Sequence, residues 1–131
     1  MACSGYAPGC IFHWTQYEFA DGEKANKYFV VVGAKQGSNF LAVVATSKQH
    51  RRNFVPGCNE KDGYYHIPGG AKDWFPKDTW LLIAEPVELD PAKFKDAALT
   101  HEGDLREQIA NEIRNCMKRC KDVSEAQIAL L

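Results

Sequence analysis

Apolar residues in this chain fall into short continuous runs over roughly the first ninety positions, and then recur at helical spacing towards the end. The clearest run is Lys27 to Val32 (KYFVVV), β-branched and aromatic almost throughout, which predicts a strand. Its apolar residues are consecutive rather than alternating, so the strand is expected to be covered on both faces. Gly33 to Ser38 reads as a hairpin connection, and Asn39 to Thr46 (NFLAVVAT) as the returning strand. Before this pair, Cys10-Ile11-Phe12-His13-Trp14 starts a strand expected to reach Phe19. The polar turn Asp21 to Asn26 follows, with Gly22 and Asn26 suited to positive φ. Residues 1–9 read as a loose lead-in.

The later segments are shorter. Residues 47–63 form a long polar stretch punctuated by Pro56-Gly57 and Asp62-Gly63, and a loop of this length is expected to be functional or disordered. Tyr64 to Ile67 predicts a brief strand ended by Pro68-Gly69-Gly70, and Asp73 to Pro76 a bend. Thr79 to Leu89 predicts a strand broken near Pro86. Asp90-Pro91 has the pattern of an N-cap followed by proline at the first helical position, so one helical turn is expected over 90–94.

The tail, 104–131, is expected to be helical. Leu105, Ile109, Ile113, Cys116 and Cys120 recur at steps of four, four, three and four, which makes one apolar stripe. Asp104 with Glu107 suggests a capping box, Lys118, Arg119 and Lys121 suit the negative end of the helix dipole, and Ser124 is placed to cap a final short helix. Strands followed by helices in a single domain, 1–131, predict a mainly β fold. A small, strongly bent antiparallel sheet or barrel is expected, with the C-terminal helix over one end or face.

Charge adds a local feature that the totals hide. The net charge is −1, yet residues 24–59 hold no Asp or Glu and six basic residues: Lys24, Lys27, Lys35, Lys48, Arg51 and Arg52. A basic surface on a folded scaffold, with aromatic residues nearby, suits an anionic polymer such as nucleic acid. No apolar run approaches the ~20 residues that would span a bilayer, and the first residues lack the basic and apolar regions of a signal peptide. A cytoplasmic location is expected. Five cysteines, an odd number without framework spacing, are then most simply free thiols. Cys116 and Cys120 share a helix face, either as a redox or half-metal pair or, more plainly, as small apolar side chains. No phosphate-binding glycine loop, zinc-finger, EF-hand or serine-hydrolase signature is present, so no cofactor and no metal are expected.

Three local patterns resemble the PemK/MazF-like superfamily of SH3-like barrels, which includes toxin endoribonucleases. Gly9-Cys10-Ile11-Phe12 stands where that family has Gly-Asp-Ile and an apolar residue. Gly22 to Val32 stands for its glycine loop, basic residue and apolar strand, and Leu41 to Ser47 (LAVVATS) for its strand ending in Thr-Ser. The likeness extends through Tyr64 to Pro68, Thr79 to Leu89 and the closing helix. It implies an SH3-like antiparallel barrel capped by an α-helix, acting on single-stranded RNA without a metal and leaving a 2′,3′-cyclic phosphate. It also implies a homodimer and an antitoxin protein as partner. By position, the residues at the scissile phosphate are Lys27, Thr46 and Ser47. Lys27 replaces the family's Arg and Tyr28 its Pro; a lysine offers a point charge where arginine offers a planar fork.

The catalytic candidates are therefore Lys27, Thr46, Ser47 and His50. His50 lies between Lys48 and Arg51-Arg52, where a neutral imidazole could take the proton of a 2′-hydroxyl. The RNA-binding candidates are Lys24, Lys48, Arg51, Arg52 and Tyr64; Trp14, Tyr17, Phe54 and Tyr65 are further aromatic residues that could stack on bases. Each has a plain structural alternative: a solvated strand end for Lys27, a strand-ending turn for Thr46 and Ser47, a solvated loop for residues 48–52. His13 and His66 are expected to be hydrogen-bonded structural residues, and Trp74 and Trp80 to belong to the core. Residues 29–32 and 128–131 offer apolar contact material for a partner. The rival function is a catalytically inactive barrel that binds protein or nucleic acid; a third is a thiol sensor built on Cys116 and Cys120.

Overall fold

The computed structural model describes residues 7–18, 21–35, 39–48, 52–70, 73–90 and 99–131. It is mainly β. The strands are β1 (Cys10–Glu18), β2 (Lys24–Ala34), β3 (Phe40–Thr46), β4 (Gly57–Asn59), β5 (Tyr64–Ile67), β6 (Thr79–Leu81), β7 (Val87–Leu89) and β8 (Leu99–Asp104). Two helices follow, α1 (Glu107–Arg119) and α2 (Glu125–Ile128). All eight strands join one antiparallel sheet in the order β4-β5-β6-β3-β2-β1-β8, with β7 also paired to β3. The sheet is not closed: β4 and β8 are its ends.

The expected first three strands are all present. Phe29, Val30, Val31 and Val32 are each at most 2% exposed, as their consecutive apolar character required. Val30 and Val32 join Ile11, Leu41, Val43, Leu81 and Ile83 in the main core, while Val31 packs with Cys10 and Phe12 in a second cluster. Burial of each such side chain contributes about 1.5–3 kcal/mol. The expected strand 79–89 is two strands on one edge of β3: β6 pairs at Ala45 and Thr46, and β7 at Phe40 to Ala42. Between them Ile83 turns fully into the core, and Pro86 has no amide hydrogen to continue a ladder. β8, which pairs with β1, replaces the end of a stretch with no strand signal. The helical turn expected over 90–94 falls, after Asp90, outside the described residues.

Helix α1 sets Ala110, Ile113, Cys116 and Met117 against the sheet. Its start corrects the sequence expectation. Asp104 does not cap it; Asp104 ends β8, with Oδ1 3.1 Å from His101 Nε2, and α1 begins after Arg106 with no side-chain cap. Ser124 does cap α2, in a reciprocal capping box with Gln127. The tail then crosses β2 at Gly33, where a Cβ would collide with the Leu130 carbonyl. The apolar segments expected to face a partner are thus used internally: residues 29–32 are core, and Leu131 is 8% exposed and part of it.

The cysteines are a second correction. Cys58 and Cys116 form a disulfide, 2.05 Å between sulfurs, which ties β4 to α1 across 58 residues of chain. Cys10 is also disulfide-bonded. Among the described residues, Cys120 is a free, buried thiol. The pairing joins residues far apart in sequence, so spacing could not reveal it. With Cys116 bonded to Cys58, a Cys116–Cys120 sensor pair is not the arrangement found.

Candidate functional site

The outer end of the β2–β3 hairpin is built differently from its core end. From Lys24 to Tyr28 exposed and half-buried residues alternate, and burial becomes complete only at Phe29. Tyr28 and Ala45 are the last bridged pair of the two strands. One step beyond it stand Lys27 and Thr46, where β3 ends and the strands part.

Two cavities open at this place. The larger, about 600 Å³, is bordered by Asn26, Tyr28, Trp74, Phe75 and Lys77, together with Ser47. The smaller, about 390 Å³, is bordered by Tyr17, Val44, Arg52, Leu82 and Glu85. Lys27, Thr46 and Lys48 border both. Four of the expected residues (Lys27, Thr46, Ser47, Lys48) therefore meet around one opening, and Arg52 lies in the adjoining cavity. Of the six basic residues of 24–59, Lys27, Lys48 and Arg52 border these cavities, Lys24 and Lys35 do not, and Arg51 lies outside the described residues.

Local hydrogen bonds shape the opening. Thr46 Oγ1 accepts the Lys48 amide hydrogen at 3.2 Å, which leaves the hydroxyl proton to donate elsewhere. Arg52 Nη1 donates to the Lys48 carbonyl at 2.9 Å, folding the arginine back along the segment. Asn53 donates its amide to the Tyr64 hydroxyl and accepts from Trp80 Nε1. The part of the long polar segment that follows Arg52 is thus tied to β5 and β6, contrary to the looseness that its composition suggested.

Other expectations are redistributed. Tyr64 is buried at 5% exposure with its hydroxyl engaged by Asn53, so it has no ring face to offer a base. Lys24 lies opposite Glu18 in the strand register at the first position of β2 and borders neither cavity. His50 and Arg51 lie outside the described residues. Tyr65 is buried, and its hydroxyl donates to Glu112 at 2.6 Å. Trp14 and Tyr17 pack against Phe29. Phe54 is half exposed but sets its edge against Trp80 and His66. His66 is 2% exposed, stacked on Trp80 with ring centres 5.0 Å apart, and 3.2 Å from Asp78 through Nε2. His13 packs on Tyr28. His66 is thus hydrogen-bonded as expected, whereas the contact shown for His13 is with the Tyr28 ring.

Three residues at the opening escaped the sequence reading. Trp74 was assigned to the core, yet it is half-buried and forms cavity wall. Tyr28, 37% exposed, stands opposite it. Glu85 brings a carboxylate among Lys27, Lys48 and Arg52. Tyr28 had a signal, because it lies in the polar half of β2 beside Lys27. Trp74 and Glu85 reach the site from loops distant in sequence and had none.

Among the described residues one group has metal-ligand character: Cys10, His101 and Asp104, with ligand atoms within 4.8 Å of one another. Its sulfur is committed to a disulfide and cannot serve as a thiolate. His101 Nε2 is also 3.0 Å from the Gly103 carbonyl. The donor set does not fit a metal centre. No helix of the described residues is long and apolar enough to cross a membrane. No family model matches the sequence, and no curated protein matches it.

Proposed function

We propose that this protein binds single-stranded RNA at the Lys27–Thr46 opening and cleaves it there without a metal. In this reading the sheet is a member of the SH3-like barrel class found in PemK/MazF-like toxins, with α1 as the capping helix. The observation that carries the reading is that Lys27, Thr46 and Lys48 border two adjoining cavities at once. A phosphodiester held at the shared border would have a nucleoside on either side. Lys27 and Lys48 neutralise the phosphate. The Thr46 hydroxyl, already accepting from the Lys48 amide, donates its own proton to a non-bridging oxygen.

Cleavage needs a group to take the 2′-hydroxyl proton. Glu85 in the smaller cavity supplies a carboxylate for this, beside the cations that hold the phosphate. The 2′-oxygen attacks phosphorus, the bond from phosphorus to the 5′-oxygen breaks, and the leaving oxygen takes a proton from the Lys48 ammonium. The products are a 2′,3′-cyclic phosphate and a 5′-hydroxyl. A point charge at residue 27 gives less geometric control than the family's arginine, so a slow enzyme is expected.

The same reading includes a homodimer and a small antitoxin protein whose acidic segment would fill the basic opening. It also includes a cytoplasmic site of action. Disulfides persist mainly in oxidising surroundings, so in a reducing cytoplasm the Cys58–Cys116 pair would be open and the core would have to hold α1 without it. A second reading, a binding module without chemistry, is favoured by the lysine at position 27. One experiment separates the two: incubate single-stranded RNA with the protein in EDTA and compare Lys27→Ala and Thr46→Ala. Cyclic-phosphate products lost in both variants support the nuclease. Binding without cleavage supports a nucleic-acid-binding module, and neither binding nor cleavage ends both RNA readings.

A further inference from the structure

The larger cavity has features that phosphate binding does not require. Its walls are aromatic: Tyr28 and Trp74 meet edge to face with ring centres 5.6 Å apart, and Phe75 supports the indole at 4.9 Å and 89°. Trp74 is held there against its own backbone preference. Its φ is +72°, a region that a bulky side chain rarely occupies, at a cost on the order of 1–3 kcal/mol. Gly103 of β8 makes the seat, since a Cβ at that position would collide with Trp74 Nε1. Asp73, the preceding residue, accepts from Arg106 Nε at 2.7 Å and fastens the bend to the start of α1. A strained tryptophan, a glycine seat and a side-chain anchor all fix the indole at the wall of an open cavity. A tryptophan needed only for the core would be covered, as Trp80 is at 1% exposure.

The cavity also has an edge donor. Asn26 Oδ1 accepts the amide hydrogen of Gln16, itself at a φ of +59° in the β1 bulge. That bond fixes the carboxamide and leaves its Nδ2 hydrogens for an acceptor. Lys27, Lys48 and Lys77 surround the mouth.

We propose that this cavity receives one unpaired nucleobase of RNA, stacked on the face of one of the two rings, Tyr28 or Trp74, with the other ring at its edge, next to the phosphate held at Lys27 and Thr46. Aromatic walls serve the base face, Asn26 an acceptor on its edge, and the lysines the flanking phosphates. The inference rests on the RNA-binding reading above and deepens it, because it names the residues that would hold one of the two flanking bases.

The test uses the full chain and two probes of equal length: a short single-stranded oligoribonucleotide and the same strand with every base removed. Both carry the same phosphates. Tyr28→Leu and Trp74→Leu are expected to weaken the first probe roughly 5- to 100-fold, the range of single-base stacking, and to leave the second unchanged. Tyr28→Phe should keep wild-type affinity for both, which separates lost stacking from lost folding. Equal weakening of both probes, or no weakening of either, overturns the base subsite and leaves the phosphate site intact. Failure of wild-type protein to bind either probe overturns the RNA-binding reading and this inference together.

Discussion

The two halves of the β2–β3 hairpin make different uses of one ladder. At the inner half, Phe29 to Val32 face Leu41 to Val44 and exclude water almost completely. At the outer half, Lys27 and Thr46 stand past the last bridged pair, beside two cavities. The inner half gives the strands a fixed register, and that register sets the spacing of the outer residues. A slip of one position would turn every side chain to the other face. Stability and chemistry are thus separated along the same two strands, and substitutions should separate them too.

The largest effect should come from the inner half. Leu41 is fully buried, and Leu41→Ala removes packing that its surroundings can only partly close. Chemical denaturation should register a loss of about 2–5 kcal/mol. Activity per folded molecule should be little changed under conditions where the variant is still folded. If the ladder's two halves were one functional unit, activity per folded molecule would fall in step with stability.

The outer half should show the reverse. Lys27→Ala should cost far less stability than Leu41→Ala, because Lys27 is only half-buried and lies outside the apolar core. Under the proposed function it should cut RNA cleavage about 100- to 1,000-fold, the usual cost of removing one group that stabilises transition-state charge. Glu85→Gln sharpens the comparison further. It should remove cleavage while tightening RNA binding, because a negative charge leaves a cationic cavity. Weaker binding in that variant would argue that Glu85 orients the lysines and takes no proton.

An intermediate effect concerns α1, which the Cys58–Cys116 bond and apolar packing hold to the sheet. Cys58→Ser, or reduction of the protein, should lower stability by about 2–4 kcal/mol by freeing a long loop in the unfolded chain. RNA binding should persist, since neither cysteine borders the opening. Loss of binding on reduction would show that α1 transmits to the outer half, and would undo the separation argued here.

Legibility in the sequence followed the same division. The inner half was readable because a run of β-branched and aromatic residues has few alternatives to a buried strand. The charge on the outer half was readable as an excess over the acids, and Lys27, Thr46, Ser47, Lys48 and Arg52 do gather. Long-range features were not readable. The Cys58–Cys116 bond, the β8 strand with its glycine seat, and the arrival of Trp74 and Glu85 all depend on segments far apart in sequence. Tyr64 misled for a local reason: its neighbours are polar loops, but it starts a strand whose four residues are all buried.

The smallest predicted effect tests the stapled side through pH. Tyr65 holds its phenol proton well above the usual range, first because it is buried, then because its hydroxyl donates to Glu112 and the Glu112 charge opposes ionisation. In the unfolded chain the same phenol ionises near pH ~10. Below that pH both states keep the proton and stability is flat with respect to this group. As pH rises past it, the unfolded state loses the proton and the folded state retains it. The unfolded state then binds fewer protons, so stability falls with pH. The slope is at most about 1.4 kcal/mol per pH unit for one group. Thermal melts between pH 8 and 11 should show this decline in the wild type and less of it in Tyr65→Phe. Tyr17, whose phenol is also raised by burial, should contribute to what is left. Glu112→Gln should fall between the two, because it removes the opposing charge but not the burial. An alkaline decline of equal steepness in all three proteins would mean that the Tyr65–Glu112 pair does not couple α1 to the sheet, leaving the disulfide and apolar packing to do so.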